Sequence, residues 1–254
     1  MKILTFIKPI RTNILYPDER RAESFSINPY DLRAIGRLSL FKTRADIELV
    51  CASMGPADSS CVLQRAIASG FHSAYLFCDE AFDDADTIAT SYVLSVGARK
   101  IGADVIVMGE RAADGQTGQT SYGLAERLGL SCVSDVEDII GIEGDILTLR
   151  CKMPEGYKIV RTGSPVVLVF HGLSILRSLF TLIELERARA KGITIWSADD
   201  LDADRNYCGA IGSRISVVDI KDDLIKKEGE IIQAMPTKAA SKILELLYGK
   251  DLCH

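Results

Sequence analysis

Residues 47–78, IELVCASMGPADSSCVLQRAIASGFHSAYLFC, have the pattern of a strand, a helix and a second strand in direct succession. Ile47–Met54 is a short apolar run of the kind found in buried strands, and Ser73–Cys78 is another. Between them the pattern predicts a helix over Ala57–Ser69 that ends at Gly70, because glycine commonly follows the last turn of a helix. This order of elements predicts two parallel strands of one sheet.

The same alternation continues on both sides of this unit. On the amino-terminal side we predict a strand over Ile3–Ile7 and a helix that opens at Asn28-Pro29. On the carboxyl side we predict, in order, a helix over Thr87–Ile101 capped by Asp86, a strand over Asp104–Met108 and a helix over Gly118–Leu128. The first 130 residues therefore predict an α/β fold with a parallel sheet between two helix layers. In such sheets ligands bind beyond the carboxyl ends of the strands, where the strand order reverses.

The pattern changes after residue 130. We predict three antiparallel strands, one buried strand and one amphipathic helix, over Cys132–Ile140, Asp145–Lys152, Tyr157–Arg161, Pro165–Phe170 and Ser174–Lys191. A turn at Glu143-Gly144-Asp145 would join the first two strands, and the apolar face of the helix would hold Leu176, Leu179, Phe180 and Ile183.

The last part of the chain predicts a short strand ITIW, a strand near Ser216–Ile220 and a final helix over Thr237–Leu247. We therefore expect an α/β domain over residues 1–190 and an arm over residues 191–254 that contacts a partner.

Composition and charge exclude several classes of protein. With 47% hydrophobic and 26% charged residues among 254, the chain has the composition of a globular protein. The net charge of −5 argues against nucleic-acid binding, which needs a basic surface. No apolar run is long enough to insert into a membrane, and Lys8 and Pro9 interrupt the first apolar stretch too early for a signal peptide. The seven cysteines contain no CxxC pair, which favours reduced thiols in the cytoplasm over a metal site.

The most informative polar stretch is residues 109–123, GERAADGQTGQTSYG, which lies between the fourth strand and a helix. The N–H groups of a helix N terminus favour an anion, and glycines let the backbone approach a phosphate. Thr117, Gln119 and Thr120 add uncharged donors. The stretch is neither a P-loop nor a GxGxxG turn. A plain polar connection is the alternative interpretation.

Two further strand ends should face the same edge of the sheet. They are Phe6-Ile7-Lys8 and Met54-Gly55-Pro56, and the helix start Asn28-Pro29-Tyr30-Asp31 lies beside them in the predicted order. Three loops that converge at one edge favour a binding cleft. From the residues alone, Lys8 could equally be a solvated lysine and Asn28 a simple helix cap.

The residues favour binding over bond-making chemistry. The three histidines, His72, His171 and His254, have no metal-ligand spacing, and GxSxG, HExxH and SxxK are absent. Asp83, Asp84 and Asp86 are best explained as a loop and a helix cap. We therefore identify no catalytic residue and no metal site, and expect no enzymatic activity from the chain alone.

In this order the motifs resemble the β subunit of electron-transfer flavoproteins, including the FixA-like members. The matching segments are Phe6-Ile7-Lys8, Asn28-Pro29-Tyr30-Asp31, Ser53-Met54-Gly55-Pro56 and the loop from Gly109 to Gln119. GLAERLGL, ITIWSADDL and KKEGEII are also similar to the family, so the resemblance covers nearly the whole chain.

The resemblance implies a Rossmann-like three-layer sandwich of the adenine nucleotide alpha-hydrolase type. Its cleft would hold AMP, or a second FAD as in the electron-bifurcating members. It also implies an α subunit that holds the redox-active FAD and a flavin-dependent dehydrogenase that delivers electrons. By position, the cofactor-binding residues would be Phe6, Ile7, Lys8, Asn28, Pro29, Tyr30, Asp31, Met54, Gly109, Asp114, Gly115, Gln116, Thr117, Gly118, Gln119 and Thr120. Tyr30 and Asn13 would face the flavin of the partner.

An adenine-nucleotide-binding regulatory module of the universal-stress-protein type is the alternative, because the same kind of α/β crevice serves both. The chain also departs from the family pattern in three places. Gln116 replaces an aspartate, and Ser121-Tyr122 replaces Gly-Pro or Gly-Gln. No proline occurs between residues 166 and 235, where the family has a proline-containing recognition segment. The family's recognition residues for a dehydrogenase therefore do not transfer to residues 171–191.

Overall fold

The computed structural model describes residues 1–15, 24–173, 180–216 and 233–248. The chain divides into two compact units, Met1–Ser216 and Val217–His254.

Among the described residues of the first unit, nine strands form one sheet and two more form a small antiparallel hairpin. The sheet contains β1 (Lys2–Phe6), β4 (Glu48–Met54), β5 (Ser73–Phe77), β6 (Val105–Gly109), β7 (Ser131–Glu143), β8 (Ile146–Met153), β9 (Gly156–Gly163), β10 (Val166–Phe170) and β11 (Thr194–Trp196), and the hairpin consists of β2 (Pro9–Arg11) and β3 (Phe25–Ile27). The strand order across the sheet is β11-β5-β4-β1-β6-β10-β7-β8-β9.

The helices lie between these strands. They are α1 (Thr12–Leu15), α2 (Pro29–Leu38), α3 (Ser60–Ala68), α4 (Thr87–Ile101), α5 (Thr120–Leu128), α6 (Leu182–Lys191) and α7 (Gly209–Gly212), with α8 (Pro236–Tyr248) in the second unit. Among the described residues, none of these helices is both long and apolar enough to cross a membrane.

The predicted α/β fold is confirmed. Six strands from β11 to β10 pair in parallel, and the antiparallel extension is built from β7, β8 and β9. Strand β7 joins the two parts, because its first half pairs in parallel with β10 and its second half pairs antiparallel with β8. One long strand therefore belongs to both the parallel and the antiparallel region.

Successive residues of the central strands enter opposite cores, as the period of two in a strand requires. Ile3 of β1 lies in one cluster with Ile35 of α2 and Leu63 of α3. The next residue, Leu4, lies in a second cluster with Val93 of α4. The sheet is thus the middle of three layers.

Helix α6 begins at Leu182, so the prediction of a helix that continues through residues 180 and 181 was wrong. Thr181 has extended backbone, and its hydroxyl accepts the N–H of Glu184. The carboxylate of Glu184 in turn accepts the N–H of Thr181. This capping box satisfies the first N–H groups and fixes the start of the helix at that point.

The predicted apolar face of this helix was wrong at one position. Ile183 is 65% exposed, whereas Ala188 is buried and Phe180 packs against the core just before the helix. The later start of the helix changes which positions share its inner face. Leu176 and Leu179 lie outside the described residues.

Residues 191–216, which the sequence assigns to the arm, lie in the first compact unit. The ITIW segment becomes β11, an edge strand parallel to β5 in which Ile195 pairs with Leu76. The compact unit therefore extends to Ser216. The predicted final helix is confirmed as α8, and residues 217–220 of the predicted strand lie outside the described residues. Contact of the arm with a partner stays a prediction.

Replacement of Gly97 tests the packing of α4 on the sheet. A Cβ at Gly97 would collide with the ring of Phe77, which is fully buried. We expect Gly97→Ala to lower the free energy of unfolding by about 1–3 kcal/mol in urea titrations, although alanine is the better helix former. In a Phe77→Leu background the same substitution should cost less. An equal cost in both backgrounds would contradict the steric explanation.

Candidate functional site

The strand order reverses at β1. The chain passes from β1 to β4 on one side of the sheet and later returns to β6 on the other side of β1. The loops that follow β1 and β6 therefore diverge beyond the carboxyl ends of these strands. Such a reversal of strand order is the usual position of a ligand crevice in an α/β sheet. The loop after β6, residues 110–118, is called the β6 loop below.

Asn28 ties the β6 loop to the end of β1. Its side-chain N–H donates to the carbonyl oxygen of Arg111 (2.9 Å), and its side-chain oxygen accepts the N–H of Ala113 (3.2 Å). Its own backbone N–H donates to the carbonyl oxygen of Lys8 (3.1 Å). Asn28 is 1% exposed and its side chain makes no capping hydrogen bond to α2, so a simple helix cap is the wrong explanation of this residue.

Asp31 makes a second connection between the two strand ends. One carboxylate oxygen accepts the N–H of Lys8 (2.8 Å) and the other accepts the N–H of Gly109 (3.1 Å). The residue is 4% exposed. Burial, opposed by these hydrogen bonds, by Asn28 and by the charge of Lys8, raises the pKa of the Asp31 carboxyl to about 7.

Gly109 is required by this close packing. A Cβ at this position would lie 2.5 Å from the Asp31 carboxylate and 2.9 Å from the backbone of Tyr30. The guanidinium of Arg111 lies over the ring of Tyr30, 5.6 Å from the ring centre, which is a cation–π distance. The end of β6 and the start of α2 therefore pack so closely that only glycine fits at position 109.

Lys8 points across the cleft to the β6 loop, and its Nζ lies 2.7 Å from the carboxylate of Asp114. Lys8 is therefore an exposed lysine at the strand end that also has an ion-pair partner in the β6 loop. The two residues line an open cleft of about 300 Å³ together with Pro9, Arg11, Phe25, Met54, Gly55 and Pro56. The cleft combines two cations and one carboxylate with an apolar wall.

The β6 loop continues from the cleft to the start of α5. Gln116 and Gly118 have positive φ of 50° and 63°, and the Gly115 N–H donates to Asp114 (2.6 Å). Gln119 is the N-cap of α5, and its side chain makes no capping hydrogen bond. Backbone N–H groups of the first turn of α5 therefore point out of the helix without a side-chain cap, which is the arrangement that favours an anion.

The structure separates the sequence-predicted residues into four groups. Lys8, Met54 and Asp114 line the cleft, while Asn28, Asp31 and Gly109 hold its loops together. The side chains of Phe6 and Ile7 lie in the two hydrophobic cores, 4% and 2% exposed. Pro29 and Tyr30 form the first turn of α2, and Gly115, Gln116, Thr117, Gly118, Gln119 and Thr120 continue the loop to α5.

The sequence reasoning missed the β2–β3 hairpin side of the cleft. Pro9, Arg11 and Phe25 line it, and the Arg11 guanidinium lies 5.4 Å from the centre of the Phe25 ring. Each hairpin strand has only three residues, which is too short for a period-two pattern to reveal. The position of Arg11 three residues after Lys8 was the one available signal.

Glu110 fixes the other side of the β6 loop. Its carboxylate lies 2.8 Å from Nδ1 of His171, accepts the N–H of Gly172 (3.2 Å) and lies 3.3 Å from the guanidinium of Arg111. The loop is therefore anchored to the end of β10 as well as to α2. Within the described residues, no three His, Cys, Asp or Glu side chains form a possible metal site.

Comparison with known proteins agrees with this architecture. A family model described as the electron transfer flavoprotein domain matches residues 19–201. The chain belongs to the electron transfer flavoprotein family. It is 32% identical over 222 residues to the Electron transfer flavoprotein subunit beta of Clostridium acetobutylicum, a match that covers 87% of this chain and 85% of that protein.

Two further relatives belong to the same group. The chain is 31% identical to the Caffeyl-CoA reductase-Etf complex subunit CarD of Acetobacterium woodii, over 81% of this chain and 79% of that protein. It is 30% identical to the Protein FixA of Azorhizobium caulinodans, over 82% of this chain and 75% of that protein. The resemblance to the β-subunit and FixA branch of the family, inferred from the motifs, is confirmed.

Substitution of Asn28 tests its role in holding the β6 loop. Asn28→Ala leaves the carbonyl of residue 111 and the N–H of residue 113 without the partner that they have in these two partly buried hydrogen bonds. We expect the free energy of unfolding to fall by about 1–3 kcal/mol in urea titrations. Asn206→Ala is the control, because Asn206 is exposed and its side chain donates only to nearby Asp204. The control should cost less than about 0.5 kcal/mol, and equal effects would contradict the assigned role.

Proposed function

We propose that this protein is the β subunit of an electron transfer flavoprotein that holds a nucleotide, AMP or FAD, in the cleft beside β1. Together with an FAD-binding α subunit it would carry electrons from a flavin-dependent dehydrogenase to a downstream acceptor. The observation that carries the proposal is the pair of connections through Asn28 and Asp31, which hold the β6 loop beside the cleft. Membership of the β-subunit branch supports the assignment of the chain to this role.

The residues of the cleft fit a nucleotide. Lys8 and Arg11 provide positive charge for a phosphate, and the N terminus of α5 provides backbone donors. Met54, Phe25 and Pro56 provide apolar surface against which a planar ring could pack. Binding and orientation are therefore the work of this chain.

The FAD of the α subunit would supply the redox chemistry. Tyr30 and Asn13 are our candidates for contact with that flavin. Asn13 is exposed in the short helix α1, and Tyr30 is partly buried beside Arg111. We assign the complex to the cytoplasm, because seven cysteines without a close pair favour a reducing compartment.

Identification of the bound nucleotide tests the proposal directly. The chain is produced together with an α subunit, the complex is isolated, and small molecules released by denaturation are measured by mass spectrometry. We expect a yellow complex with FAD in the α subunit and one further nucleotide for each β chain. AMP would indicate an ordinary carrier, and a second FAD would indicate a bifurcating one. A complex that releases no second nucleotide, or a chain that never binds an α subunit, would contradict the proposal. A chain that binds AMP alone would instead support the regulatory adenine-nucleotide module.

Lys8 provides a variant for the same assay. Lys8→Met removes the positive charge that faces Asp114 across the cleft. We expect AMP affinity in calorimetry to fall by about 1.5–3 kcal/mol, which is the range for hydrogen bonds to charged groups. Lys152→Met removes an exposed lysine of β8 and serves as the control for the change in net charge. If both variants bind AMP as the unmodified protein does, the phosphate lies elsewhere.

A further inference from the structure

Asp114 is the one carboxylate among the described residues that line the cleft. Its side chain is 29% exposed, and one of its carboxylate oxygens lies 2.7 Å from Nζ of Lys8. The same oxygen accepts the N–H of Gly115 (2.6 Å). A phosphate that approaches Lys8 in this cleft therefore also approaches a negative charge.

The backbone on both sides of Asp114 keeps this carboxylate at the cleft. The N–H of Ala113, the preceding residue, donates to the side-chain oxygen of buried Asn28 (3.2 Å). The N–H of Gln116 donates to the carbonyl oxygen of Ala112 (3.0 Å), which closes a turn around Asp114. A ligand can rotate the carboxylate aside, but it cannot carry the residue away from the cleft without breaking these hydrogen bonds.

The charges of the cleft limit the charge of its ligand. Lys8 and Arg11 are the two cations among the described lining residues, and the N terminus of α5 adds a partial positive charge of about half a unit. A nucleotide with two negative charges pairs with both cations and leaves the Asp114 carboxylate in excess. Each further phosphate charge would then meet a like charge, and like charges at a partly buried site repel each other.

We propose that Asp114 is a specificity-determining residue that restricts the cleft to nucleotides with about two phosphate charges. The phosphate of AMP and the diphosphate of FAD each carry about two negative charges, whereas ADP and ATP carry more. Asp114 therefore accepts either of the two proposed nucleotides and selects against ADP and ATP. This role rests on the proposed function, because it requires that the phosphate of a nucleotide binds in this cleft.

Calorimetry with AMP, ADP and ATP tests the selection. The full chain, freed of bound nucleotide, is titrated at pH 8 without divalent cations, so that the phosphates are ionised and free of metal. In Asp114→Asn, which keeps the shape of the side chain, we expect the affinities for ADP and ATP to rise by about tenfold relative to AMP. This is the effect of one like charge at about 6 Å with an effective dielectric constant of about 40. The same ratios of AMP to ADP and ATP affinity in both proteins would overturn the proposal.

Asp145→Asn is the matched control. Asp145 is exposed in the turn between β7 and β8, and its carbonyl oxygen accepts the N–H of Ser164, before the start of β10. It therefore lies at the amino end of the parallel strands, whereas the cleft lies at the carboxyl end. This variant has the same net charge as Asp114→Asn and should keep the nucleotide ratios of the unmodified chain. An equal change of the ratios in both variants would show a general effect of net charge and would overturn the role of Asp114.

Asp114→Glu and adenosine separate the effect of charge from other effects of the side chain. Asp114→Glu keeps the negative charge, so we expect it to keep the nucleotide ratios of the unmodified chain. Ratios like those of Asp114→Asn would overturn the proposal. Adenosine, which has no phosphate, should bind equally to the unmodified chain and to Asp114→Asn. Weaker binding of both adenosine and AMP to Asp114→Asn would also overturn the proposal, because the carboxylate would then bind the nucleoside instead of opposing phosphate charge.

Failure of this role and failure of the proposed function give different results. AMP binding to the unmodified chain, with nucleotide ratios that Asp114→Asn does not change, contradicts the role of Asp114 alone. The expected change of the ratios, together with a complex with the α subunit that releases no second nucleotide, contradicts the proposed function alone. If no nucleotide binds to the unmodified chain or to the variants, both are contradicted.

Discussion

The hydrogen bonds that Asp31 and Asn28 make across the first helix turn are the constraint on which the candidate site depends. β1 and β6 are neighbours in the sheet, but the loops after them separate at the reversal of strand order. The Asp31 carboxylate accepts hydrogen bonds from the N–H groups of Lys8 and Gly109. The Asn28 side chain makes hydrogen bonds to the backbone of Arg111 and Ala113. These contacts tie the start of α2 to the ends of β1 and β6 and to the backbone of the β6 loop.

This arrangement explains why residues of one motif have different tasks. Side chains buried at the start of α2 make hydrogen bonds to backbone groups, which leaves them little capacity to bind a ligand. In the proposed function, ligand contact falls to the cleft residues around Lys8 and to the N terminus of α5. Substitution of a residue that holds the loop should therefore change stability, whereas substitution of a residue that faces the cleft should change binding.

Membership of the electron transfer flavoprotein family supports the proposed role of this cleft in a complex with an α subunit. The segment before α6 differs from the family pattern in the sequence. In the structure the capping box of Thr181 and Glu184 begins that helix at Leu182, and both Leu182 and Ile183 are exposed there.

The sequence by itself determined the alternation of strands and helices, the glycines at their ends and the convergence of three loops. These features depend on the period of apolar residues and on local backbone preferences, which neighbouring residues reveal. Tertiary structure alone decided that Asn28 holds the β6 loop and that Arg11 lines the cleft. It also placed residues 194–196 in the sheet as an edge strand. Each of these outcomes depends on contacts between residues distant in the chain, and such contacts leave no periodic signal in the sequence.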